Sequence, residues 1–562
     1  MKFSSMVYCR PNIDSMRETT DRLLQKIESA QSHEQQIAAF SEFEKMAKTA
    51  STMATLASIR HTIDTKDTFY DAENRFMDEN APLLEEMEQK INMALLHSRF
   101  RTQLEEHYGK LLFKNLEIAV RSFSPEIMDL MQQENKLTTE YQDLYASAMV
   151  EFDGKTLPLP MLGPYKESPN RAIRREAFRV EGEFFDAHRE QLDTIFDKLV
   201  HVRDAEAKKL GFPNYIPLGY DRLGRNCYTA HEVAAFREQI ANDMVPIVAE
   251  VKKDQQSRLG LSHLCFYDEP VMFPDGNAKP HGTPDEILAA GRAMYRDLSS
   301  ETAEFIDFMF ENELFDVLSK PGKAPGGYCT EIQDYQSPFI FSNFNATSGD
   351  VDVLTHEAGH AFAAYRAMRR DLPMQLQSPT IEACECHSMS MEFLTEPYHQ
   401  NFFEEETQKY KLAHCEDALI FIPYGCMVDE FQHRVYESPD LKPEERNELW
   451  LSLEKKYRPW IDFDGLPFYG RGAGWQRQLH IYQYPLYYID YCMAQTVAFQ
   501  FWMKSLKDHR DAWQHYLTFV DGAGTRTFAE LVHAAGLQLP YEDGAIRKVG
   551  KEIHSWLKDN NI

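Results

Sequence analysis

The sequence predicts a mainly α-helical protein of two or three lobes, on three observations. At 562 residues the chain is too long for one ordinary hydrophobic core. Apolar residues recur at three- and four-residue spacing through most of it, as in SMRETTDRLLQKIESAQ and HEQQIAAFSEFEKMAKTASTMATLASIRHTI. Strand-like patterning is confined to a possible short hairpin within 151–170 and to SPFIFSNFNAT at 337–347.

The elements follow in order. The first 150 residues are rich in Glu, Gln, Lys, Met and Ala and poor in Gly and Pro. No a/d heptad persists there, so packed antiparallel helices are expected rather than one coiled coil. Turn residues gather in EFDGKTLPLPMLGPYKESPN (151–170). Its GKT is not a phosphate loop, because that motif needs glycine at 149, where Met149 stands. Helical patterning resumes at Arg171 and runs to about Leu259. A mixed region with the turn-rich KPGKAPGGYC follows, and the pattern is mostly helical again from 350 to the end. The expected division is an N-terminal helical lobe over 1–165 and a larger region over 166–562.

Composition excludes several classes. With 43% hydrophobic and 12% aromatic residues, the chain suits a folded protein rather than a disordered one. Sixty basic against 88 acidic residues leave −28, which argues against nucleic-acid or anionic-lipid binding through bulk charge. Nowhere do eighteen apolar residues run together, so no membrane span is expected, and the first residues lack the apolar core of a secretory signal. The nine cysteines include no CxxC pair, and Cys384 and Cys386 diverge if helical. They are expected to be reduced thiols in a cytosolic protein.

One stretch carries chemistry. In LTHEAGHAFAAY (354–365), His356 and His360 stand four apart with Glu357 directly after the first. On a helix, i and i+4 share a face, so two imidazoles can grip one ion while the glutamate, turned about 100° away, can reach a metal-bound water. Leu354, Ala358, Ala361 and Tyr365 follow the spacing of a buried stripe, with Ser348 or Asp350 as the expected cap. A zinc hydrolase needs a third protein ligand. Ala363 and Arg366 exclude the metzincin pattern, and Pro379 and Thr380 exclude the thermolysin-like one. Farther on, SPTIEACECHSMSMEF (378–393) offers Glu382, Glu385 and Glu392.

HEAGHAF followed by EACECHSMSMEF resembles the M3 peptidases, the thimet oligopeptidase and oligoendopeptidase F group. The resemblance extends over RAIRREAFR (171–179), RDAEAKKLGFPNY (203–215) and SNFNATSGDVDVLTHEAGH (342–360), about three-fifths of the chain. It implies Glu385 as third ligand, after 24 intervening residues, with a further glutamate seven residues on at Glu392. The residues themselves allow the same arrangement. A helix to about Arg370, a connection through DLPMQLQSP and a second helix from near Thr380 bring Glu385 opposite the histidines. Glu382, one turn earlier, is the rival ligand, and Glu392 is placed to orient an imidazole.

The resemblance also implies a two-lobed helical zincin with a deep substrate channel and a small β element beside the HExxH helix. One Zn2+ per chain, held by His356, His360 and Glu385, would lower the pKa of its water towards about 7, with Glu357 as the base. The developing oxyanion needs another donor. In GRGAGWQRQLHIYQYPLYYIDYCMAQ (470–495), His480, Tyr484, Tyr487 and Tyr491 recur at 0, +4, +7 and +11. Pro485 marks a helix start, which leaves Tyr487 and Tyr491 on one face. The family's histidine followed by tyrosines implies that His480, Tyr487 and Tyr491 act on substrate and oxyanion, with Tyr488 as the alternative to Tyr487. The glycines at 470, 472 and 474 are expected to form a mobile loop over the cleft, and PFIFSNFNAT an edge strand able to pair with substrate.

The expected function is zinc-dependent endoproteolysis of short oligopeptides, with neither nucleic acid nor membrane as partner. Two alternatives stay open: a helical HExxH metallocarboxypeptidase, and a non-catalytic zinc-containing peptide-binding protein.

Overall fold

Three long helices open the chain, and their ends show why they form. The computed structural model describes residues 1–561. Helix α1 (Ile13–Ser29) starts where the Asn12 side chain accepts the Ser15 N–H at 3.0 Å. Helix α2 (His33–Ile63) follows, and α3 (Thr68–Leu96) begins where Asp67 accepts the N–H groups of Phe69 and Tyr70. The periodic apolar positions Leu23, Ile27, Phe40, Phe43, Ile91 and Leu95 meet in one buried cluster. The molecule is mainly helical throughout. Among the described residues, no helix is long and apolar enough to cross a membrane.

The chain folds into two units, each drawn from three separate stretches. One comprises 1–120, 279–407 and 497–537; the other comprises 121–278, 408–496 and 538–562. In the first, three strands form a small sheet: β1 (Phe315–Leu318), β2 (Tyr328–Ile332) and β3 (Ser337–Phe344). β3 is the central strand, parallel to β1 and antiparallel to β2. Seven of its eight residues are buried, among them the apolar stretch 338–341. The expectation of an edge strand here is therefore corrected: both hydrogen-bonding edges of β3 are taken, and β2 is an outer strand. α2 packs against β2, where the hydroxyls of Thr62 and Tyr328 lie 2.6 Å apart.

The chain leaves β3 directly into helix α4 (Gly349–Ala367), and helix α5 (Ile381–Leu394) follows a short connection. Neither expected residue caps α4 in the usual way. Ser348 makes no capping bond, while the Asp350 carboxylate reaches back to accept from the N–H groups of Asn345 and Ala346, both at 2.8 Å. Asp350 thereby ties the strand exit to the first turn of the helix.

In the second unit, Asp153 and Gly154 both take positive φ between Met149–Phe152 and Lys155–Pro158, which closes a two-residue hairpin. Long helices such as Arg189–Lys209 and Thr407–Glu437 make up most of the rest. Arg203, fully buried, is satisfied by Glu134, the Tyr436 hydroxyl and the Tyr482 carbonyl. Of the glycines at 470, 472 and 474, Gly472 is the one that close packing requires. Gly472 has φ +82°, and a Cβ there would lie 2.2 Å from the Asn447 carbonyl oxygen. The nine cysteines are all free thiols.

Candidate metal centre and tyrosine cluster

α4 and α5 come together at a glycine. A Cβ on Gly359 would lie 2.6 Å from the His387 carbonyl oxygen and 2.6 Å from Ser388 Cα. Two helix backbones can approach that closely only where one side chain is missing. Tyr516 adds a hydrogen bond of 2.8 Å to the same His387 carbonyl. The close crossing sets one turn of α4, with His356 and His360, against one turn of α5.

There Oε2 of Glu385 lies 3.5 Å from Nε2 of His356 and 3.6 Å from Nε2 of His360. Those separations are long for direct hydrogen bonds. Tetrahedral coordination with bonds of about 2.0–2.1 Å places neighbouring ligand atoms roughly 3.3 Å apart, so the three donors fit one zinc ion. The other imidazole nitrogen of His356, Nδ1, meets Glu392 Oε1 at 2.7 Å. This contact puts the proton on Nδ1 and leaves Nε2 as the donor that faces Glu385. Burial would raise the Glu385 carboxyl, but the two imidazoles hold it well below the usual carboxylate range. Burial lifts Glu357 above its ordinary value.

Glu382 does not join this group. It is buried, and its Oε1 accepts the Thr380 hydroxyl at 2.7 Å at the start of α5. A second set of possible metal donors, His281, Glu404 and Glu405, is exposed and carries no comparable arrangement of burial.

The tyrosine-rich segment lies in the second unit. A short helix, Leu479–Gln483, presents His480, and the helix Tyr488–Lys507 carries Tyr491. Tyr487 falls one residue before that helix, so the expected shared helix face is replaced by a turn. Its ring still lies 5.1 Å from that of Tyr491, and the two rings lie 6.0 and 6.1 Å from His480. Tyr484 is 56% exposed. Tyr488 is buried against Phe421 and Tyr424, and burial raises its hydroxyl far above the ordinary value. Tyr487 and Tyr491 are both half-buried.

Gln478 escaped the sequence reading. Its Oε1 accepts the Tyr424 hydroxyl at 2.8 Å, so its amide nitrogen is the donor in the 3.0 Å contact with His480 Nδ1. Neutral His480 then carries its proton on Nε2. No motif spacing marks such a glutamine, because its role depends on a tyrosine more than fifty residues away.

Known proteins place the chain. The family model described as Peptidase M3 N-terminal domain matches residues 3–123, and that described as Peptidase family M3 matches 299–551. A solved structure of PZ peptidase A with an inhibitor is 47% identical, with TM-score 0.94 and all of both chains covered. The chain belongs to peptidase family M3. Among M3 relatives, a Bacillus anthracis str. Ames structure bearing the name oligoendopeptidase F is 42% identical, with TM-score 0.89 over 100% of this chain and 99% of that one. An oligoendopeptidase F homolog of Mycoplasma pneumoniae is 21% identical over 434 residues, which is 73% of this chain and 69% of the relative. This M3 peptidase is thus a metallo-oligopeptidase of the oligoendopeptidase F kind.

Proposed function

We propose that the chain is a zinc-dependent endopeptidase of short oligopeptides, with one zinc ion held by His356, His360 and Glu385. The observation that carries this reading is the convergence of the two Nε2 atoms on Glu385 Oε2 at 3.5 and 3.6 Å, with His356 Nδ1 engaged by Glu392. When bound, zinc supplies a Lewis acid that polarises water and the scissile carbonyl.

The chain's own residues do the rest. Glu357, next to His356 but outside the three converging donors, takes a proton from the attacking water and hands it to the leaving amine. Glu392 keeps His356 in the tautomer whose Nε2 can bind metal. His480, Tyr487 and Tyr491 act on the substrate, the histidine through Nε2–H and the tyrosines through their hydroxyls, as donors to the oxyanion of the tetrahedral stage. Support for that role comes from the family's histidine followed by tyrosines and from the clustering of these rings around His480.

Digestion of a peptide mixture, half of it C-terminally amidated, with cut sites identified by mass spectrometry, tests the proposal. Internal cuts in both halves, abolished by chelator and restored by zinc, are expected. Cuts confined to free C-terminal residues would assign a carboxypeptidase, and chelator-resistant cuts would remove the metal from the mechanism. Binding without any cut would leave a peptide-binding protein.

A further inference from the structure

Leu486 has φ +66°, the left-handed region that a branched side chain rarely adopts. It sits in the turn Tyr484-Pro485-Leu486-Tyr487, closed by the Tyr487 N–H on the Tyr484 carbonyl at 3.3 Å. Proline followed by a residue of positive φ is the signature of a type II turn, in which the third position is ordinarily glycine. Here it is leucine, fully buried. A strained backbone persists only where its surroundings over-determine it.

The surroundings do so with two buried polar side chains. The Gln432 Oε1 accepts the Leu486 N–H at 2.9 Å, and Arg225 Nη2 donates to the Leu486 carbonyl at 2.6 Å. The same Arg225 nitrogen donates to Asp490 Oδ1 at 2.9 Å, and both side chains are wholly buried. Tyr228 donates to that Asp490 oxygen at 3.1 Å, and the Arg225 guanidinium lies 4.3 Å from the Tyr220 ring. Arg225 itself is delivered by a helix end. Gly224 takes φ +66° after Tyr215–Arg222, and the Arg225 N–H closes on the Tyr220 carbonyl at 3.1 Å. Gly219 on that helix leaves room for the leucine, since a Cβ there would lie 2.8 Å from Leu486 Cδ1.

Arg225 therefore grips the residue before Tyr487 and the residue before Tyr491. We propose that Arg225, with Gln432, is a positioning residue that holds Leu486 left-handed and so sets Tyr487 and Tyr491 against His480. The inference rests on the reading that these tyrosines act on the substrate. Arg225 touches no reacting atom; it acts through the turn.

Six variants of the full chain test this: Tyr487→Phe, Tyr491→Phe, Gln432→Met, Gln432→Met with Tyr487→Phe, Arg225→Met with Asp490→Asn, and that last pair with Leu486→Gly. The Asp490→Asn change avoids leaving a buried charge unpaired. Each is measured for kcat and KM per bound zinc, and for thermal stability. Both tyrosine variants should lose kcat, and Gln432→Met should lose about tenfold in kcat with KM within about twofold. Adding Tyr487→Phe to Gln432→Met should cost less than it costs alone. Leu486→Gly, which takes the left-handed conformation without a clamp, should restore part of the kcat lost in the Arg225 pair. Normal kcat in both tyrosine variants overturns the underlying reading and this inference with it. Lowered kcat there but normal kcat in the clamp variants overturns the inference alone. Clamp variants that merely unfold, unrelieved by Leu486→Gly, assign Arg225 to stability and overturn it as well.

Discussion

Glu392 Oε1 lies 2.7 Å from His356 Nδ1, on the side of the imidazole opposite Glu385. A carboxylate in that position fixes both the tautomer and the angle of the ring before any ion arrives. Glu392→Ala should therefore weaken zinc binding by about 10–100-fold, the usual effect of losing such a partner. Competition against a chromophoric chelator reads this directly, and unchanged affinity would leave Glu392 as an ordinary buried polar contact.

Glu385 and Glu382 should separate cleanly. Glu385→Ala removes a converging donor and should abolish tight zinc binding. Glu382→Ala removes the contact with the Thr380 hydroxyl and should cost stability while zinc content stays normal. Reversed results would place the third ligand one helical turn earlier.

Gly359 should tolerate no side chain. A methyl group there would press on the backbone of α5 at 2.6 Å, with no flexible atom to yield. Gly359→Ala should destabilise the fold by about 1–3 kcal/mol and weaken zinc binding, because moving α5 moves Glu385. Denaturant midpoints alongside zinc titration check both. Wild-type values in each would mean that the helix crossing does not set the metal geometry.

The histidine pair was legible in the sequence, and the reason is periodicity. His356 and His360 lie on one helix, where spacing converts directly into facing direction. Glu385 and Glu392 came from the resemblance to M3 peptidases, since spacing alone left Glu382 as a rival. The helical character of the chain was readable from periodicity as well. Three features were not. The pairing of β3 depends on strands before it in the chain, so its apolar run could equally suit an edge or a centre. Gly359 carries no signal in the sequence, because its purpose lies in the His387 carbonyl opposite. Tyr487 fell off its expected helix face because Leu486 takes a left-handed turn that no propensity assigns to leucine, held by Arg225 far back in the chain.

Glu44 offers a test of stability against pH, away from the metal. Its carboxylate accepts the Met374 N–H at 3.0 Å beside a cavity lined by Phe43, Met46, Leu84 and Met374. Burial pushes its pKa up from 4.5 to about 7. The folded state therefore keeps a proton that the unfolded chain has released. The stabilisation is fully present below about pH 4.5 and is lost as pH rises through about 7. Glu44→Gln keeps an acceptor for Met374 and does not titrate, so it should lose less stability than the wild type between pH 5 and about 7.5. Urea unfolding at the two pH values measures the difference, and an equal loss in both proteins would refute the assignment.

The central claim is that Glu357 moves the proton while His356, His360 and Glu385 hold the metal. Glu357→Gln isolates it, since the amide preserves size and packing but cannot act as a base. Zinc content and peptide hydrolysis, measured on the same preparation of this variant, are the most direct test. The account predicts one zinc per chain, with hydrolysis reduced to a trace. A zinc-loaded variant that still cleaves at near wild-type rate would contradict it.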